Sequence, residues 1–196
     1  MLEALDTISW NELKTSFSRS ASDVPTYIRQ LLSLEPAVRK KAVEDLGWDL
    51  CNTYILGTAT LAAIPFLIEL LEHDGIQDKH RICHLLLDCF IRSEATPEEM
   101  AHPETQLEVQ VGQSITKGLD IYIRHLEHPD WETRMAAALL LVEGNFPRSE
   151  WQRLKVVYEK YKTQEKHPTI RKAFERWDLS FASVLDEKAE DDDSKE

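Results

Sequence analysis

His80, His84 and Asp88 stand four residues apart, and on an α-helix residues at that spacing lie one above another on a single face. Two imidazoles and a carboxylate in such a column form a donor set for a divalent transition metal such as zinc. Arg81 lies close to the same face, and His73 and Asp74 come just before it. A solvated amphipathic helix produces the same column, because Ile82, Leu85, Leu86, Cys89 and Phe90 fall mainly on the opposite side. A zinc-protease helix would carry a general-base glutamate between its histidines, and residues 81 to 83 include none. The column therefore reads first as a solvated face, then as a metal site, and also as a strip for contact with a partner.

Other reactive side chains lack the company that chemistry needs. Cys83 precedes His84, but neighbouring helical residues point about 100° apart, which keeps thiol and imidazole from meeting as nucleophile and base. Cys51, Cys83 and Cys89 have no paired spacing and sit among apolar neighbours, as buried free thiols of a reducing compartment do. His125 and His128 end a helix, where imidazoles suit the negative end of the helix dipole, and His102 and His167 each precede a proline. Gly57-Thr58 stands without the further glycines and the lysine of a phosphate loop, and marks a turn before a helix. No catalytic set, no cofactor motif and no metal set beyond the histidine column emerges. Of the five tryptophans, Trp151 and Trp177 fall on apolar stripes. Trp48 and Trp131 lie beside acids and are the candidates for exposed anchors at an interface.

The elements that would position these residues are helices throughout. Ser9 reads as the cap of a short helix running to about Phe17, and Asp23 as the cap of a second, with Pro25 in its first turn and Val24, Tyr27, Ile28 and Leu31 as its stripe. A third helix follows Pro36, with Val38, Ala42, Leu46 and Leu50 on one face and Gly47 weakening its end. Thr58 to Glu72 is expected as a helix kinked or broken at Pro65. Ile76 to Ser93 is expected as another, followed by a loop over 94–104. Leu107, Val111, Ile115, Leu119, Tyr122 and Leu126 then keep helical spacing, and Trp131 to Val142 is apolar nearly all round, as a helix buried between neighbours is. Two helices close the chain, one with Trp151, Leu154, Val157, Tyr158 and Tyr161, the other with Ile170, Phe174, Trp177, Phe181 and Leu185. No stretch alternates with a period of two, so no sheet is expected.

Within this helical pattern, segments recur. Val24-Pro25-Thr26-Tyr27-Ile28-Arg29-Gln30-Leu31 shares its register with Ile64 to Leu71 and with Leu119 to Leu126. A second class follows the first: Glu35-Pro36-Ala37-Val38-Arg39 with Ala42, His128-Pro129 with Arg134, Ala136 and Ala137, and His167-Pro168-Thr169-Ile170-Arg171 with Ala173. At these residues, and at Ala59 to Leu67, the chain resembles HEAT-repeat proteins of the small bacterial type, over about residues 5 to 182. The resemblance implies an all-α, irregular HEAT-like α-solenoid of stacked antiparallel helix pairs, a single domain over 1–185, with a concave surface for a protein or nucleic-acid ligand. It implies, further, an adaptor or an immunity-type role, since some relatives of this kind sit near bacterial toxin systems.

Charge narrows the ligand. The chain carries a net −12, of which the stretch 186–196, expected to be a disordered acidic tail, holds −5 and the rest −7. Nucleic-acid affinity comes largely from Lys and Arg displacing counterions, so an acidic body disfavours DNA and RNA and steers in a basic protein instead. The start of the chain has no basic apolar leader, and the apolar run Leu61 to Leu71, broken by Pro65 and Glu69, is too short to span a bilayer. The expectation is a cytoplasmic, non-enzymatic protein-binding module. Its alternative is a metal-binding protein or metal-dependent enzyme using His80, His84 and Asp88. The partner contacts expected are Trp48, Trp131, His80, His84 and Asp88.

Overall fold

Helix follows helix along the chain. The computed structural model describes residues 2–51, 56–93, 106–144 and 146–175; the loop at 94–104, Trp177, Phe181, Leu185 and the acidic stretch 186–196 lie outside them. The helices are α1 (Val24–Gln30), α2 (Pro36–Cys51), α3 (Thr58–Glu72), α4 (Lys79–Arg92), α5 (Gln106–Thr116), α6 (Leu119–His125), α7 (Trp131–Glu143), α8 (Trp151–Gln164) and α9 (168–175). Among the described residues there is no sheet, only an isolated antiparallel bridge between Lys14 and Ser20. The fold class is all-α.

The helices cluster into two compact units, Met1–Asn145 and Phe146–Glu196. In the first, α1 packs on α2, α3 on α4 and α6 on α7 as consecutive pairs. Across pairs the first helices touch, α1 on α3 and α3 on α5 and α6, and so do the second helices, α2 on α4 and α4 on α7. Helix α4 thus lies among α2, α3, α5 and α7, and it buries Ile82, Cys83, Leu85, Leu86, Leu87, Cys89 and Phe90. Each large apolar side chain so buried contributes roughly 1.5–3 kcal/mol. Helix α7 buries Thr133, Ala136, Ala137, Ala138, Leu140 and Leu141, and its alanines let α4 and α6 come close. In the second unit, Tyr158 and Tyr161 of α8 hold Phe174 of α9, one edge-on at 5.8 Å and the other stacked at 6.5 Å between ring centroids.

Arginines tie the turns between paired helices. Arg39 is only 4% exposed. Its Nη1 donates to the carbonyls of Ser33 and Leu34, six and five residues upstream, at 2.8 and 3.0 Å. Its Nε and Nη2 both reach Asp78 Oδ2 at 2.9 Å, across to the start of α4. Arg134 repeats the local half of this arrangement: its Nη1 donates to His128 and Pro129, again six and five residues upstream, at 2.9 and 3.1 Å. Two of the three recurring arginines, Arg39 and Arg134, are thus clamps on the loop that feeds their own helix, whereas Arg171 is exposed. The first also corrects the expected face of α2, where Arg39 is buried and Val38 is exposed.

Other boundaries depart from expectation for identifiable reasons. The helix expected from Ser9 to Phe17 is a single 3₁₀ turn, Trp10–Glu12, because Leu13 turns extended and Lys14 is held by α3. The Lys14 amide donates to Thr58 Oγ1 at 2.9 Å, and its carbonyl accepts from the Ala59 amide at 3.0 Å. Helix α3 runs unbroken through Pro65, whose side is exposed. Helix α4 begins at Lys79 rather than Ile76, since Asp78 adopts a left-handed φ of 55°. The apolar spacing from Leu107 to Leu126 belongs to two helices, parted at Lys117-Gly118, where the buried Tyr122 hydroxyl donates to the Ile115 carbonyl at 2.9 Å.

Gly57 is required by this packing. A Cβ there would stand inside contact distance of the Lys14 carbonyl oxygen and at 2.5 Å from the Thr15 carbonyl carbon. Gly57→Ala should therefore cost about 1–3 kcal/mol, the usual penalty of forcing atoms into a packed site. Gly47, inside α2 with nothing within 4 Å of its missing Cβ, should behave oppositely. Gly47→Ala is expected to add about 0.5–1 kcal/mol by reducing the freedom of the unfolded chain. Urea unfolding of both variants measures the contrast.

Candidate functional site

The C-terminal half of α2 carries Asp45, Trp48 and Asp49, and the segment before α1 folds over it. Ser16 pins that segment in place: its Oγ donates to the Trp48 carbonyl at 2.8 Å and its amide to the Asp49 carbonyl at 2.7 Å. Phe17 is thereby stacked on Trp48, with centroids 6.0 Å apart and planes 25° off parallel, and the Arg19 guanidinium lies 5.1 Å from the Phe17 centroid. Beside this stack opens a pocket of about 320 Å³, lined by Arg19, Ser20, Asp23, Tyr27, Asp45, Trp48 and Asp49. Three carboxylates thus face one guanidinium, with Lys41 pairing Asp45 at the edge. The local field acts on the pocket's own members. Desolvation first, then Asp23, Asp45 and Asp49, raises the Tyr27 hydroxyl pKa. Desolvation likewise raises the pKa of Asp49, opposed by Arg19 and reinforced by Asp23 and Asp45. Trp48 is 56% exposed, so an aromatic face and an excess of negative charge are open to solvent together. Such a combination suits an ammonium or guanidinium group.

Trp131 is also exposed, at 44%, but it belongs to a different patch. Arg39 near the start of α2 meets Asp78 at the start of α4, and His80 near the start of α4 meets Asp130 at the start of α7. The second helices therefore begin at the same edge of the unit. Trp131 stands at that edge, whereas Trp48 lies nine residues beyond Arg39, about 14 Å along the helix at 1.5 Å per residue. One ligand side chain cannot touch both.

The histidine column is realised on α4, though only part of it gathers donors. His80 is half-buried, while His84 and Asp88 are exposed. One donor atom each from His80, Asp130 and Glu132 lies within 4.8 Å of the others, so the residues brought to His80 come from α7 rather than from its own column. Asp130 caps α7, accepting from the Glu132 amide at 3.3 Å and from the Thr133 amide and hydroxyl at 3.0 and 2.7 Å. Desolvation pushes its carboxyl upward, but these hydrogen bonds and His80 outweigh it and hold the pKa below the ordinary value. Partial desolvation, aided by His80, lowers the pKa of His84, against Asp88 and Glu132.

Burial shifts several of the enclosed ionisable groups towards their neutral forms. Cys83 is fully enclosed and burial pushes its thiol up to about 12, so it is no nucleophile at neutral pH; His84, beside it in sequence, faces out. Cys51, Cys83 and Cys89 are all free and buried. Lys79 is buried and donates to the Leu71 carbonyl at 2.8 Å, and desolvation lowers its pKa. Of the pocket, sequence reasoning found Trp48 alone. The signal for the rest was weak: Asp23 with Tyr27 and Asp45 with Asp49 at four-residue spacing, as any solvated helix face can show. Among the described residues no helix is long and apolar enough to cross a membrane. Comparison with family models and with curated proteins finds no match to this chain.

His125 supplies a pH dependence. It is buried, with Nδ1–H donating to the Ile121 carbonyl at 2.7 Å. Desolvation lowers its pKa below 6.5; the Ile121 bond opposes this, and Lys79, His128 and Arg124 add to it. The unfolded imidazole then takes up a proton at a pH where the folded one refuses it, so stability falls as pH drops through about 6.5 towards the folded value. Urea midpoints measured from about pH 7.5 down to about pH 5.5 should decline, and His125→Gln should flatten that slope.

Proposed function

We propose that this chain is a cytoplasmic, non-enzymatic protein-binding module, an adaptor or immunity-type inhibitor, whose partner is basic. The observation that carries the reading is the open pocket in which Trp48 and Tyr27 stand beside Asp23, Asp45 and Asp49. An arginine or lysine side chain entering it would exchange water for an aromatic face and two or three carboxylates, and the net −12 of the chain would steer such a partner inward. A HEAT-like array is the architecture we propose for Met1–Asn145. Its support is the two-row packing of the pairs and the matching clamps of Arg39 and Arg134. The rival reading, a metal-binding protein or metal-dependent enzyme using His80, His84 and Asp88, draws less support, because the donors grouped with His80 are Asp130 and Glu132.

Isothermal titration with an arginine-rich peptide tests the reading. Binding should weaken with added salt and fall roughly tenfold or more, about 1.4 kcal/mol, in Trp48→Ala and again in Asp49→Asn. An affinity unchanged by both substitutions would overturn it.

A further inference from the structure

We propose a second, separate site: a divalent-metal centre at the junction of α4 and α7, with a ring nitrogen of His80 and the carboxylates of Asp130 and Glu132 as its protein ligands and Zn²⁺ as the ion that fits them. Three observations converge. One donor atom from each residue lies within 4.8 Å of the other two, and the donors come from two helices that pack directly on each other. The donor set, one imidazole and two carboxylates, is that of a borderline metal with positions left for water. The Nδ1 atom of His80 is buried and has no hydrogen-bond partner, a cost that a folded chain ordinarily avoids.

The geometry needs little adjustment. Zinc–ligand bonds of about 2.0–2.2 Å place neighbouring tetrahedral donors roughly 3.3–3.6 Å apart, so donors at the 4.8 Å limit have to close by about 1.2–1.5 Å. Glu132 is exposed and free to swing inward, while Asp130 is already oriented by Thr133 and the Glu132 amide. A bound ion would join the starts of α4 and α7 as Asp78 and Arg39 join those of α4 and α2.

The test uses the full chain stripped with a chelator and titrated with Zn²⁺ alone. Expected is one ion per chain at micromolar affinity or tighter, with a rise in Tm on binding. Uptake should be lost in His80→Ala and in Glu132→Gln and kept in Asp88→Asn and Trp48→Ala. Glu132 is the cleaner variant, because Asp130→Ala would also remove the cap of α7. No stoichiometric uptake by the parent chain, or uptake that survives both His80→Ala and Glu132→Gln, would overturn the site.

Discussion

A guanidinium that is almost wholly withdrawn from water has to satisfy its donors within the protein, and Arg39 does so by holding two things at once. Its Nη1 closes the turn between α1 and α2 on the carbonyls of Ser33 and Leu34, and its Nε and Nη2 hold Asp78 at the start of α4. Removing water from a charge is costly unless every donor is met, so this arrangement admits few alternatives. It sets the edge at which α2 and α4 begin, and the same edge continues to α7 through His80 and Asp130. The rest of the unit Met1–Asn145 is built out from that alignment.

One consequence is the surface that remains. With α2, α3, α5 and α7 around it, α4 turns nearly all of its apolar side chains inward and leaves His84, Asp88 and Ile91 to solvent. Because the second helices start together, polar groups from successive helices gather at one edge, while the far end of α2 is left with its aromatic and acidic residues. The Phe17–Trp48 stack is kept there by Ser16, whose two hydrogen bonds anchor an otherwise irregular segment. Two patches of different chemistry thus sit at opposite ends of one helical row, and each tests independently of the other.

Apart from the ion-paired Arg39, burial acts on three enclosed ionisable groups of the unit. Cys83, Lys79 and His125 are each shifted towards their neutral forms, chiefly by desolvation. A reaction centre uses burial differently, setting a nucleophile against a base within reach. At Cys83, Lys79 and His125 burial serves packing, while Trp48 and its neighbouring carboxylates are open to solvent.

Periodicity alone determined the class of the protein. Apolar residues recurring every three to four positions named the helices, placing α3 at Thr58–Glu72 and α7 at Trp131, and the acids beside Trp48 and Trp131 marked the two that stay exposed. What periodicity does not hold is which helix lies against which, because that depends on contacts between residues far apart in the chain. Asp130 and Glu132 come near His80 across some fifty residues, and Asp23 and Asp49 come to line one pocket from either side of the turn between α1 and α2. In the sequence Arg39 stood only as the recurring arginine after Pro36. Only Asp78 and the carbonyls of Ser33 and Leu34, brought within 3.0 Å by the fold, make a buried charge tolerable there. Hydrophobic spacing is local and survives in the sequence. The pairing of charges and the closing of pockets are set by packing, and exist only once the helices have met.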